Sequence, residues 1–170
     1  MKKKVNEKEI RKSFSDITKT LIKKGLTITT MESCTGGLLA SLITDAEGSS
    51  AVIKGAFVTY SNEAKIKAGV DSETIKKFSV YSKETALAMA ESCRKYFSSD
   101  IGIGVTGTMG NIDEANPLDS EKGKIYFAIV CKDNKFSFSI EIETQSERYE
   151  YKLITAQKIA DELKKIISSL

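Results

Sequence analysis

Apolar residues along this chain recur with two different periods, and the two alternate. Over residues 5–24 they keep helical spacing, with Ile10, Phe14, Ile17 and Leu21 four, three and four positions apart. Lys23 and Lys24 followed by Gly25 suit the end of that helix. Leu26 to Met31 then changes to the β-branched run of a short strand. The helical signal returns over residues 38–45, stops near Gly48, and yields to a second strand, AVIKGAFVTY at 51–60, whose glycine is expected to mark a bend or bulge. Ser61 opens a short helix through Ala68. Ser82 caps a longer one with Ala86, Met89, Ala90 and Cys93 on its apolar face. Asp100 to Thr106 (DIGIGVT) fits a buried central strand. Lys124–Cys131 and Phe136–Glu143 alternate and are joined through Asp133 and Asn134, which predicts a hairpin. A last helix from about Glu147 carries Tyr149, Leu153, Ala156, Ala160, Leu163 and Ile167 on one face.

Helices between the early strands require crossovers and hence parallel pairing, whereas the late hairpin adds antiparallel strands. The expected fold is therefore α/β and layered: a mixed, mainly parallel sheet with a C-terminal antiparallel hairpin and helices packed on the sheet. At 170 residues, 41% apolar and 29% charged, the chain can fill one core but not two, so residues 1–170 are expected to form one domain. Ligands in such sheets gather at the carboxyl ends of the strands. Thr108 to Lys122 is the longest irregular stretch, polar and holding the only proline, Pro117. A loop of that length in a compact domain is commonly a lid or a binding loop.

Composition removes several classes of function. With 26 basic and 23 acidic residues the net charge is +3, too small for a dedicated nucleic-acid surface. The Lys2–Lys3–Lys4 run reads as a solvated terminus. No apolar stretch approaches the roughly 20 residues needed to cross a bilayer, so no membrane partner is expected. No secretory leader is evident either, and Cys34, Cys93 and Cys131 are odd in number without C-x-x-C spacing. Reduced thiols in the cytoplasm are the simplest account. The chain has no histidine, which eliminates a Ser-His-Asp triad, a Cys-His pair and a His-based zinc site. Acid–base chemistry must then come from Lys, Tyr, Cys, carboxylates or water.

Four segments could carry chemistry. Thr30 to Gly37 (TMESCTGG) is a strand-to-helix turn that can project the Ser33 hydroxyl, with Gly36 and Gly37 admitting a ligand close to the backbone. The helix N-terminus beyond could offer N–H groups to a phosphate or an oxyanion; the same residues would also make an ordinary helix cap. In Tyr60 to Lys65 (YSNEAK), Lys65 lies one turn into a helix, where burial would let it deprotonate a serine, or it is simply a solvated lysine. Thr106 and Gly107 end the buried strand, where a hydroxyl and amides could hold a substrate or only close a turn. Arg148 starts the last helix and could bind a phosphate. Cys34 is a competing nucleophile, since a helix N-terminus can depress a thiol pKa. Gly48-Ser49-Ser50 offers hydroxyls and amides to a phosphate.

Taken together, these segments resemble the CinA C-terminal domain family, which includes stand-alone nicotinamide-nucleotide amidohydrolases. The matching pieces are T-x-E-S-C-T-G-G (Thr30 to Gly37), G-S-S (Gly48 to Ser50), F-V-T-Y-S-N-E-A-K (Phe57 to Lys65), a V-S-x-E-T-A-x-A-M-A type segment at Val80 to Ala90 with Tyr81 inserted, and V-T-G (Val105 to Gly107). The order holds over residues 10–168, with no counterpart expected to the larger N-terminal domain of full-length members.

The resemblance implies hydrolysis of the carboxamide of nicotinamide mononucleotide to nicotinic acid mononucleotide and ammonia. Ser33 would attack, Lys65 would accept its proton, and Tyr60 would assist the base or orient substrate. Cys34, Thr35, Gly36, Thr106 and Gly107 would bind substrate or its oxyanion, and Ser49, Ser50 or Arg148 the 5′-phosphate. No metal or other cofactor is implied, and a homo-oligomer is. Two departures stand out. The family's T-G-I-A-G-P and K-P-V-G region reads Thr106-Gly107-Thr108-Met109-Gly110-Asn111 and then diverges over Ile112 to Lys122. Its G-D-R-x-x-x-R appears as Ser146-Glu147-Arg148 with Lys152 in the second basic position. A different small amide as substrate, or a non-catalytic nucleotide- or partner-binding module, are the alternatives these departures leave open.

Overall fold

The computed structural model describes residues 5–170; the Lys2–Lys4 run lies outside them. Helix α1 (Glu7–Lys24) is capped by the Asn6 side chain, which accepts from Lys8 N–H, and closes on Gly25 in the left-handed conformation. Strand β1 (Ile28–Glu32) leads through a tight turn into helix α2 (Leu38–Thr44). A 3-10 turn at Ser49–Ala51 precedes strand β2 (Phe57–Val58). Helices α3 (Asn62–Lys67), α4 (Ser72–Phe78) and α5 (Lys83–Phe97) follow, capped by Ser61, Asp71 and Ser82. Strands β3 (Ile101–Gly107), β4 (Lys124–Cys131) and β5 (Asn134–Glu141) complete the sheet, and helix α6 (Arg148–Ser168) closes the chain.

The strand order is β2-β1-β3-β4-β5. Both neighbours of β1 pair with it in parallel, while β3–β4 and β4–β5 are antiparallel. The mixed sheet and the hairpin are as expected. The parallel part is two of the four pairings rather than the greater share, because β4 returns beside β3 through the 108–123 loop without a crossover helix. Ile101, Ile103 and Val105 of β3 face α1, α2 and α6 across the main core, joined by Ile125, Phe127 and Ile129 of β4. On the opposite face α5 lies over Gly102 and Gly104. A Cβ at either glycine would strike the carbonyl oxygen of Ala90 or Ala86, so helix and sheet can approach this closely only because side chains are missing there.

Several expectations are corrected. The strand at 51–60 is reduced to two residues plus an isolated bridge from Ile53 to Ile28. At Gly55 the chain passes so close to the Phe97 ring that a Cβ would collide with it, and the Gly55 carbonyl accepts from Thr29 Oγ1 of β1 at 2.8 Å instead of joining the strand ladder. Helix α4 has no counterpart in the sequence reading. The hairpin turn is Lys132–Asp133, one residue earlier than expected, with Lys132 at φ 55°. On α6 Leu153, Ala156, Ala160, Leu163 and Ile167 are buried as expected, but the tyrosine on that face is Tyr151, whereas Tyr149 is 46% exposed.

Candidate active site

Because β1, β2 and β3 run parallel, their carboxyl ends share one edge of the sheet. Ser33 leaves β1 there, with its N–H donated to Val105 O of β3 at 3.1 Å. Thr59 and Tyr60 leave β2 beside it, Thr59 N–H donating to Glu32 O at 2.7 Å. Gly107 ends β3 at the same edge. A cavity of about 720 Å³ opens among them, lined by Ser33, Lys65, Tyr60, Gly107 and the 108–116 part of the long loop.

Lys65 is drawn inside by local structure. Ser61 caps α3, its Oγ accepting from Ala64 N–H at 3.1 Å, and Lys65 sits one turn further on, only 1% exposed. Its Nζ donates to Ser33 Oγ at 3.1 Å and to Thr59 O at 2.9 Å. Burial disfavours the ammonium and outweighs the opposing pull of Cys34 and Asp113, lowering the Lys65 pKa from 10.5 to about 8. An amine with that pKa is partly neutral near physiological pH and can take a proton from the hydroxyl it touches. Ser33 itself is 6% exposed and lines the cavity.

The turn presenting Ser33 is built on Glu32, a role the sequence reading missed. Its carboxylate, fully buried, accepts from Thr30 Oγ1 (3.1 Å), Thr35 Oγ1 (2.7 Å), Gly37 N–H (3.0 Å), Leu39 N–H (3.1 Å) and Ala40 N–H (2.9 Å). The first amides of α2 are thereby taken by the protein's own carboxylate, so the anion site expected at that helix N-terminus is already filled. The Thr35 hydroxyl is likewise engaged and buried. Gly36 N–H donates to Ser33 O at 3.0 Å, which removes it as an oxyanion donor; its φ of 63° is what the tight turn requires of it. Among the described residues, no backbone carbonyl accepts from the N–H of Cys34 or Thr35.

The remaining expected residues divide. Cys34 lines the cavity, and burial raises its thiol pKa to about 12 despite the nearby charges of Arg148 and Lys65. A thiol so far from ionisation is a poor nucleophile, contrary to the depressed pKa considered for it. Tyr60 is 63% exposed at the cavity mouth, where its hydroxyl accepts from Arg148 Nη2 at 2.9 Å. Arg148 thus joins the cavity from the start of α6. Gly107 lines the cavity, but the buried Thr106 hydroxyl donates to Val80 O at 3.0 Å and is not directed to a ligand. Ser49 and Ser50 belong to the 3-10 turn against the amino end of β1, where Ile28 N–H donates to Val52 O, at the sheet edge opposite Ser33. They do not share a site with the cavity. Tyr81, Asp113 and Asn116 also line the cavity and were not anticipated individually. Among the described residues, no group of three or more His, Cys, Asp or Glu side chains could hold a metal, and no helix is long and apolar enough to cross a membrane.

Fold and site define an α/β domain with a buried serine–lysine pair at the carboxyl edge of a mixed sheet. The profile of the CinA C-terminal domain matches residues 11–167, and the chain belongs to that family. It is similar to a CinA-like protein of Flavobacterium psychrophilum, 44% identical over 121 residues, covering 70% of this chain and 28% of that protein. The chain spans about a third of the length of the curated relatives it matches. Among solved structures, the competence/damage inducible protein CihA from Agrobacterium tumefaciens is 30% identical with a TM-score of 0.83, covering 92% of this chain and 94% of that one. A CinA superfamily protein from Klebsiella pneumoniae shares the fold at 21% identity, with a TM-score of 0.85 over 95% and 99% of the two chains.

Proposed function

We propose that this chain is an amidohydrolase in which Ser33 is the nucleophile and neutral Lys65 its base, with the carboxamide of nicotinamide mononucleotide as first-choice substrate. The observation that carries this reading is the 3.1 Å contact between Lys65 Nζ and Ser33 Oγ inside a cavity large enough for a nucleotide. Lys65 takes the hydroxyl proton as Oγ bonds to the amide carbon. The amide of Cys34, which lines the cavity beside Ser33, is the candidate donor to the oxyanion that forms. The Lys65 ammonium returns the proton to the departing nitrogen, the C–N bond breaks, and ammonia leaves an acyl-serine. Water then attacks the ester with Lys65 again taking a proton, the C–Oγ bond breaks, and Ser33 recovers its hydrogen. Arg148, held at the mouth by Tyr60, is the cavity's candidate for the 5′-phosphate.

A second reading keeps the chemistry and changes the substrate. Asp113 places a carboxylate in the wall of the cavity, supplied by the loop that diverges from the family. Ammonia release from the mononucleotide and from a panel of small amides separates the two. The expected result is turnover of the mononucleotide in preference to the panel, lost in Ser33→Ala and in Lys65→Ala. Turnover surviving both substitutions eliminates the mechanism, and preference for another amide replaces the substrate.

A further inference from the structure

The long loop does more than border the cavity: it fixes one charge inside it. Asp113 Oδ2 accepts from the Tyr81 hydroxyl at 2.5 Å and from Asn116 Nδ2 at 2.6 Å. Its Oδ1 accepts from Ala115 N–H and its own N–H donates to Ser120 Oγ, both at 3.1 Å. Asn116 in turn accepts from Asn62 Nδ2 at 3.3 Å, tying the loop to α3, the helix that carries Lys65. Tyr81 and Asp113 both fall in segments where the sequence departs from the family motifs it otherwise resembles.

The carboxylate is ionised. Burial pushes its pKa up, but the bonds from Asn116, Tyr81 and Ala115, with the charge of Lys65, outweigh that and hold it below the ordinary carboxylate range. Asp113 in return favours the Lys65 ammonium. The proposed chemistry needs the opposite, a neutral amine. Among the described residues, Lys65 Nζ donates to the Ser33 hydroxyl and the Thr59 carbonyl, and Cys34 and Asp113 are the titratable groups that favour its ammonium. Once the amine is neutral, Asp113 has lost the charge of Lys65, and Arg148 is bonded to Tyr60 at the mouth.

We infer that Asp113 is the specificity-determining group of this cavity, selecting amides whose carboxamide is borne by, or adjoins, a permanently cationic ring or group. This rests on the amidohydrolase reading. On binding, the substrate cation sits in the cavity with the fixed Asp113 carboxylate and disfavours a second positive charge at Lys65, so that an ammonium there loses its proton to solvent water, leaving the free amine beside Ser33. Charge is conserved in the cavity: one cation enters and one proton leaves. A cationic substrate thus shifts Lys65 further toward the free amine, a push that a neutral isostere does not supply.

Nicotinamide mononucleotide and its 1,4-dihydro form share carboxamide, ribose and phosphate, and differ in the charge of the ring. Calorimetric binding and ammonia release are measured for both, with the wild-type chain, Asp113→Asn and Asn116→Ala. The wild type is expected to favour the cationic ring by at least about tenfold in affinity and in kcat/KM. Asp113→Asn brings the ratio to within about twofold and moves the rise of kcat/KM to lower pH, since the ammonium loses its partner. Asn116→Ala, which loosens the loop but leaves the carboxylate, retains the preference. A wild-type ratio near one, or a ratio unchanged in Asp113→Asn, overturns the assignment. If neither compound releases ammonia, the amidohydrolase reading falls, and the binding ratio alone decides the role of Asp113.

Discussion

Lys65 Nζ stands 3.1 Å from Ser33 Oγ and 2.9 Å from the Thr59 carbonyl, so the amine is held by one atom it can only donate to and one with which it can exchange a proton. As an ammonium it donates to both. After losing a proton it keeps the carbonyl bond and turns its lone pair toward the hydroxyl.

Keeping this amine buried costs stability. The Lys65 pKa falls from 10.5 to about 8 in the fold, so the penalty is complete below pH 8 and vanishes as pH rises past 10.5. A depression of that size corresponds to about 3 kcal/mol at pH 7. Lys65→Met removes the penalty and leaves the Thr59 carbonyl unpartnered, which returns roughly 1 kcal/mol or somewhat more. The variant is expected to be inactive yet more stable by about 1–2 kcal/mol at pH 7, with the gain gone near pH 10.5. Urea unfolding at the two pH values measures this, and a variant less stable at pH 7 contradicts it.

Glu32 is expected to matter to both stability and rate. Glutamine offers one acceptor oxygen where five donors converge and turns an N–H₂ group toward others of its kind. Glu32→Gln should cost about 2–4 kcal/mol. In the folded fraction kcat should fall by about a hundredfold while KM changes a few-fold, because the turn presents the nucleophile without forming the rest of the cavity. Denaturation curves and steady-state kinetics test the two together. A variant that unfolds like the wild type refutes the anchoring role.

The buried Cys34 thiol, with its pKa pushed up to about 12, is expected to stay unmodified in the native protein. Its thiolate population near pH 8 makes alkylation by iodoacetamide about three orders of magnitude slower than that of a free cysteine. Peptide mapping after timed labelling reads the rate. Rapid native labelling of Cys34 would revive it as the nucleophile.

The residues legible in the sequence were those announced by local signals. Ser33 follows an apolar run and precedes two glycines, and Lys65 sits one turn after the capping Ser61. Direction along the sheet separates Ser49 and Ser50 from the edge that carries Ser33. A segment leading from a helix into a parallel strand lies at the amino edge, away from the ligand edge. Glu32 stood in the quoted motif unread, although a carboxylate just before a helix start is a recognisable cap. Gly55 approaches the ring of Phe97, far along the chain, and the Tyr81–Asp113 pair joins residues 32 positions apart. Contacts of that kind carry no periodicity, and the sequence held no trace of them.

The most direct test of the serine–lysine account is the pH dependence of kcat/KM for ammonia release from nicotinamide mononucleotide. With a base of pKa about 8 that must be neutral, kcat/KM should rise tenfold per pH unit below pH 8 and level off about one unit above it. Lys65→Ala should abolish that limb along with the activity. A profile flat between pH 6 and 9, or one whose rise persists without Lys65, would show that another group deprotonates Ser33.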